Sequence, residues 1–185
     1  MFGGLAVALI VALPLGVLAA RVPRVAAPIF GATGVIYVVP SLALLAIAVR
    51  YLGLGALPVV LVLAAYAQFI LVRGIATALQ SVPWAPKDAA RGLGMSDRQI
   101  FWRVELPLAA PLLIGALRLA TVALIAIAIL GGYVGAGGLG EEIFLGLQRK
   151  YVEQTLAGSL PAAELAIIVD AMFRLLERKT RARLG

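Results

Sequence analysis

Long apolar runs separated by short charged stretches organise this chain. Five runs, approximately 3–20, 27–49, 54–76, 108–131 and 156–176, are apolar enough to be helices that cross a bilayer, which takes about 20 residues. The pattern predicts an all-α integral membrane protein, with about five transmembrane helices in a single domain over residues 1–185. Composition agrees: 63% of residues are hydrophobic and 14% charged, against about 25% charged in a soluble domain, and the mean hydropathy is +1.05. No basic segment precedes the first run, and Leu18-Ala19-Ala20-Arg21 is a poor cleavage site, so the run reads as a span rather than a signal peptide.

Pro14 and Gly16 interrupt the first run, Pro40 the second, Pro58 the start of the third and Pro161 the fifth. Membrane helices tolerate such breaks where neighbouring helices satisfy the freed backbone groups. Gly31, Gly34, Gly115 and Ala116 are small enough to let helices approach closely. Six glycines between Gly131 and Gly140 disfavour helix. That stretch is expected to turn the chain sharply back and to act as a flexible outer gate. Glu141 and Glu142 then open a short amphipathic helix with Ile143, Phe144 and Leu147 on its apolar side, two carboxylates at a helix start being favourable.

Charge orients the spans. Of 16 lysines and arginines, twelve fall on one set of loops and ends: Arg21, Arg24, Arg73, four in the loop 87–103, and Arg174, Arg178, Lys179, Arg181 and Arg183. Only Arg50, Arg149 and Lys150 fall on the other, and Arg118 is left inside a span. The excess marks the cytoplasmic side, which places the N-terminus outside and the C-terminus inside. The net charge of +7 does not form a stripe with interleaved aromatics, so no nucleic-acid partner is expected. Without cysteine or histidine there is no disulfide, no thiolate metal site and no imidazole base. No catalytic or metal-binding residue is assigned, and the chain is not expected to be an enzyme.

Residues 88–107 are a charged island between apolar runs. Two helical patterns share it, one up to a break at Gly94 and one from Ser96 to Leu106 that Pro107 is expected to stop. Ser96 with Gln99 three residues on has the form of a capping box. Asp88-Ala89-Ala90, Gly94, Val104 and Leu106-Pro107 stand at the spacing of one known loop. They resemble the cytoplasmic loop of ABC-superfamily importer permeases, which reads Glu-Ala-Ala, three residues, Gly, nine residues, Ile, one residue, Leu-Pro. Asp for Glu at 88 and Val for Ile at 104 are conservative departures. The resemblance implies the type I importer permease fold, with a coupling loop over about 84–107 that docks on a separate ATPase subunit. Asp88, Ala89, Ala90, Gly94, Val104, Leu106 and Pro107 would carry the docking, with Phe101 and Trp102 as apolar contacts.

Further stretches are similar to the osmoprotectant branch of that family, which imports glycine betaine, choline, carnitine and related quaternary amines. They are Pro40–Leu45, Gly53-Leu54-Gly55, Gly115–Val122 and Gly135–Gly140. Tyr37-Val38-Val39, Gln68-Phe69-Ile70 and Gly74-Ile75 depart from the branch, in the middle spans. Methionine-type permeases share the glycine-rich stretch and the loop, and a non-transport scaffold is the rival of another class. The resemblance implies a pathway and gate at Pro40, Ser41, Arg118, Thr121, Gly135, Gly137 and Gly138. It also implies a prokaryotic inner membrane, two ATP-binding cassette subunits, a second permease copy or paralogue, and an extracytoplasmic binding protein. No Gly-x-x-x-x-Gly-Lys-Ser/Thr occurs, so ATP and Mg belong to the separate ATPase and this chain needs no cofactor of its own. Permeases of the branch begin upstream of the first run, so the chain reads as truncated or compact at its N-terminus. A charge in a span seeks a partner, and helical rise puts Asp170 within roughly 3 Å of Arg118 in depth. A buried Arg118–Asp170 pair is therefore expected, with Glu164 in reserve.

Overall fold

The computed structural model describes residues 2–182. The principal elements are α1 Phe2–Arg21, α2 Pro23–Val38, α3 Ser41–Leu52, α4 Ala56–Gln80, α5 Trp84–Gly92, α6 Asp97–Ile100, α7 Leu106–Ile129, α8 Leu139–Arg149 and α9 Val152–Ala182. Four helical stretches are long and apolar enough to span a membrane: Phe2–Arg21, Ala56–Gln80, Asp97–Val134 and Val152–Ala182. The run at 27–49 is not one straight span. It divides into α2 and α3, which meet at 89° and make a fifth span where the bent pair is taken as one. Pro40 caps α3 and supplies no N–H to carry α2 onward.

Helix α4 is the core, with α1, α2, α3 and α7 all packed on it and Leu63, Leu71 and Val72 fully buried along it. Helix α1 lies beside α4 in parallel, because Gly4, Ala8, Ala12 and Gly16 recur every fourth residue and face it as buried positions. A Cβ on Gly4 would stand 2.8 Å from Leu63 Cβ, and one on Gly16 would stand 2.6 Å from Ile75 Cβ. Small residues one turn apart bring the two backbones together, the usual basis of helix association where lipid removes the hydrophobic drive. Hydropathy averages over this stripe and does not reveal it.

Helix α7 returns antiparallel to α4, with Gly74 against Ala116 and Gly131 against Val59. Helix α9 packs on α7 and α8. Of the small residues expected at interfaces, Gly31 faces open space and Gly34 stands 3.8 Å from Phe69 for an added Cβ, so neither sets a tight helix crossing. Pro107 does not stop its helix. Phe101–Glu105 forms a π-helical turn, in which the Leu106 N–H donates to the Phe101 carbonyl, and α7 continues from it with Pro107 in its first turn. The wider turn relieves the clash that a proline ring makes with the carbonyl four residues back.

The glycine-rich stretch turns the chain back, as expected, between two helical segments. Leu130–Val134 is a short 3-10 helix, and α8 already begins at Leu139. Gly132 packs against the backbone of Gly140 and Glu141, and Gly140 against that of Ile129, with no room for a side chain at either. Gly135, Gly137 and Gly138 supply the positive φ values of 71°, 76° and 80° that turn the chain.

Candidate functional site

The island at one end of the bundle is built from local capping. Helix α5 ends in a Schellman arrangement: Met95 N–H donates to Ala90 O at 3.1 Å and Gly94 N–H to Arg91 O at 3.0 Å, with Gly94 at φ 80°. Two residues later the Ser96 N–H donates to Gln99 Oε1 at 2.8 Å, and the Gln99 N–H donates to Ser96 Oγ at 3.4 Å. This capping box starts α6 without a linker. The result is a tight helical elbow that presents Asp88, Ala89 and Gly94 to the surface while Ala90 and Ile100 are buried beneath it. Val104 and Leu106 are half-buried and Pro107 is exposed.

Large apolar side chains stand on that elbow. Trp84 is 73% exposed, Leu93 83% and Trp102 59%. Phe101, expected as a contact, is half-buried: it packs against the core and lies under the Arg21 guanidinium at 5.6 Å. Trp102 meets its edge at 5.4 Å. Trp84 and Leu93 carry no signal in the sequence, because it is their exposure alongside Trp102, visible only in the fold, that makes them candidates for an interaction surface.

Beneath the elbow lies Glu105, a carboxylate only 3% exposed. It accepts from the Arg21 guanidinium at the end of α1, and Lys87 Nζ of α5 stands 3.6 Å from its other oxygen. One buried anion thus ties α1, α5 and the start of the α7 span together. A buried charge persists when such partners compensate it.

The residues expected along a pathway do not meet in one place. Thr121 is buried and its hydroxyl donates to Leu117 O at 2.7 Å within its own helix, so it lines no path in this chain. Gly137 and Gly138 line a cavity of about 320 Å³ with Phe2, Val59, Ile125 and Leu165 at the far end from Glu105. Gly135 is exposed nearby, while Pro40 and Ser41 lie at the bend between α2 and α3. Arg118 belongs to a third group on α7 and α9. Its Nε stands 3.6 Å from Asp170 and its Nη1 3.4 Å from Glu177. Asp170 also accepts from Arg174 Nε at 2.7 Å, and Arg181 lies 3.6 Å from Glu177. The group is therefore a half-exposed network rather than a buried pair, Arg118 being 32% exposed along its side chain. Glu164 is exposed and takes no part in it. Glu177 follows Asp170 by two helical turns, a spacing that puts both on one face and could have disclosed it.

Two of the cations counted with the loops have other settings. Arg73 lies within α4 rather than beyond it, and Arg183 falls outside the described residues.

Residues 12–182 match the family described as binding-protein-dependent transport system inner membrane component. The choline transport system permease protein OpuBB of Bacillus subtilis is 36% identical over 92% of this chain and 78% of its own length. The glycine betaine/carnitine/choline transport system permease protein OpuCD of the same organism is 39% identical over 95% and 77%. The osmoprotectant import permease protein OsmW of Salmonella typhimurium is 34% identical over 92% and 81%. Among solved structures, an inward-facing MetNI methionine ABC transporter chain superposes with a TM-score of 0.79 at 24% identity, covering 97% of this chain and 90% of that one, which is likeness of fold. The chain belongs to the binding-protein-dependent transport system inner membrane components, the permease family of ABC importers.

Proposed function

We propose that the chain is the permease of an ATP-driven importer for osmoprotectants such as glycine betaine, choline or related quaternary amines. The observation that carries this reading is identity of 34–39% along nearly the whole chain to permeases named for those compounds. The methionine alternative rests on a likeness that carries fold alone.

In this reading the elbow of α5 and α6, within the coupling loop 84–107, docks in a cleft of the ATPase subunit. Trp84, Leu93 and Trp102 give it an apolar contact surface, and Asp88 and Arg91 a charged one. Glu105 passes the movement to α1 and α7. Two such permeases, identical or paralogous, enclose the pathway above two ATPases that hold ATP and Mg. An extracytoplasmic binding protein delivers cargo at the end carrying the glycine turn. The inner end holds Arg21, Lys87 and the C-terminal arginines, so the N-terminus lies outside and the C-terminus in the cytoplasm.

The test is reconstitution in liposomes with an ATPase subunit and a binding protein of an osmoprotectant importer. ATP-dependent uptake of radiolabelled glycine betaine or choline is expected, and a Leu93→Asp, Trp102→Asp variant should lose the ATPase from the purified complex. Uptake of methionine with no uptake of either amine would replace the proposed cargo.

A further inference from the structure

Two independent features meet on one face of α4. The first is Arg73. It lies seven residues before the end of α4, which is about 10 Å inside that end. Its guanidinium stands 4.7 Å from the Phe69 ring and 5.0 Å from that of Phe30, and it donates to the Phe30 carbonyl at 3.4 Å. It takes part in none of the ion pairs among the described residues. A charge at that depth faces a bundle interior or a water-filled cavity rather than lipid, and pairs where it can. Within this chain the side chain is exposed, so the face is open to an anion.

The second feature is the bend after α2. Its backbone opens level with the middle of α4, where the Tyr66 hydroxyl donates to the Val39 carbonyl. Irregular backbone at membrane depth occurs only where protein or a watery cavity covers it. The last carbonyls of α2 have no partner within the helix, and its macrodipole directs partial negative charge to the same place. Tyr37, in the last turn of α2, stacks on Phe69 at 4.4 Å and lies 5.8 Å from Tyr66.

The face is therefore polarised. A fixed cation with no counter-ion among the described residues stands at one end, and aromatic rings with the helix terminus of α2 at the other, joined by Phe69. Guanidinium groups bind carboxylates through paired donors, whereas aromatic faces and carbonyl ends attract a quaternary ammonium. We propose that Arg73, Phe69 and Tyr37 form a transient pathway site for zwitterionic quaternary amines, with the carboxylate on Arg73 and the trimethylammonium against the exposed Tyr37 ring beside the end of α2, where the buried Tyr66 holds the Val39 carbonyl. This deepens the transport reading above and rests on it. It also makes a distinction that reading does not: glycine betaine carries a carboxylate for Arg73, and choline carries none.

The assembled permease–ATPase complex in nanodiscs, without binding protein, tests this by saturation-transfer NMR on the methyl signals of glycine betaine and choline. Wild type should give saturable transfer to both, with betaine held more tightly. Arg73→Leu should weaken betaine at least tenfold and choline less than twofold, so choline reports that the variant is folded. Tyr37→Leu should weaken both. Arg73→Lys keeps the charge without the planar fork, and should still weaken betaine relative to choline. Equal loss of both ligands in Arg73→Leu, with both retained in Arg73→Lys, would make Arg73 a structural cation and overturn the proposal. Absence of transfer in wild type, when the full importer takes up betaine, would overturn the site and leave the transport reading standing. Uptake of neither amine by the full importer would overturn the reading itself, and the site with it.

Discussion

Gly74 of α4 and Ala116 of α7 meet so closely that a Cβ on Gly74 would overlap the Ala116 methyl. The contact fixes the crossing of the two most central spans. Neither backbone can retreat cheaply, because α4 is held on its other side by the stripe Gly4, Ala8, Ala12 and Gly16 of α1. Gly74→Ala is therefore expected to overpack the crossing and cost about 1–3 kcal/mol. Gly31→Ala, which enters open space, should leave stability unchanged or slightly raised, since alanine favours helix by about 1 kcal/mol. Thermal unfolding of the detergent-purified protein, followed by fluorescence-detected size exclusion, compares the two. Equal midpoints for both variants would mean that α4 and α7 are free to separate.

Arg21 and Glu105 form a second fixed point, 84 residues apart in sequence. The two partners differ in exposure: the Arg21 side chain is 49% exposed and that of Glu105 only 5%. Removing the acid leaves cations that water can reach, whereas removing Arg21 leaves a buried carboxylate with only Lys87 beside it. Arg21→Leu should thus be the more damaging change. Breaking a buried pair costs about 3–5 kcal/mol, and the exposure of Arg21 brings the expected loss toward the lower end. Glu105→Gln alone should cost less, and adding it to Arg21→Leu should recover part of the loss. A double variant no better than Arg21→Leu would remove Glu105 from the tie between α1 and the α5–α6 elbow.

Local chemistry was legible in the sequence wherever a few adjacent residues decide the outcome. Gly94 closes α5 and the Ser96–Gln99 box opens α6 because both motifs satisfy their own backbone groups within six residues. Hydropathy located the spans for the same reason, since the membrane imposes length and apolarity segment by segment. Pro40 marked the break in residues 27–49, but not its angle of 89°, because both halves are equally apolar and a change of direction leaves no trace in a hydropathy average. Pro107 misled because a missing N–H normally ends a helix, and the π turn that accommodates it depends on the packing of Phe101 against the core. The ties of Glu105 and the aromatic setting of Arg73 depend on which helices become neighbours. No periodicity within one segment carries that information.

The glycine turn separates two roles that composition cannot distinguish. Gly135 has φ 71° with nothing near an added Cβ, whereas Gly132 lies against the Gly140 backbone. Gly135→Ala should cost only the left-handed backbone penalty, roughly 1–2 kcal/mol. Gly132→Ala must instead push two chain segments apart, and should block assembly of α8 on the end of α7. Replacing Gly137 and Gly138 together by Val combines two positive φ values with β-branched side chains, and should lower transport more than it lowers yield. Yield in detergent and uptake in liposomes measure these separately. Wild-type uptake by the double valine variant would show that the turn is a passive connection.

Arg118 bears on how charge is held inside the bundle. It is shared between Asp170 and Glu177, and each carboxylate has a further arginine, Arg174 or Arg181, one turn along α9. Taking Arg118 away therefore leaves neither acid alone. Because the side chains are between a fifth and a third exposed, solvent screening keeps each contact to about 1 kcal/mol or less. Arg118→Leu is expected to lower the unfolding midpoint modestly, and more at low ionic strength than at high, since salt screens partly exposed pairs. Asp170→Leu on that background should not restore the loss. It removes the acid that Arg174 still pairs with, and so leaves Arg174 without a partner in the network. Restoration should instead need Arg118→Leu with Asp170→Leu and Arg174→Leu together, which removes that branch of the network and leaves Glu177 paired with Arg181. Full recovery by the Arg118→Leu, Asp170→Leu pair alone would mean that Arg174 contributes nothing and that the two residues form an isolated ion pair.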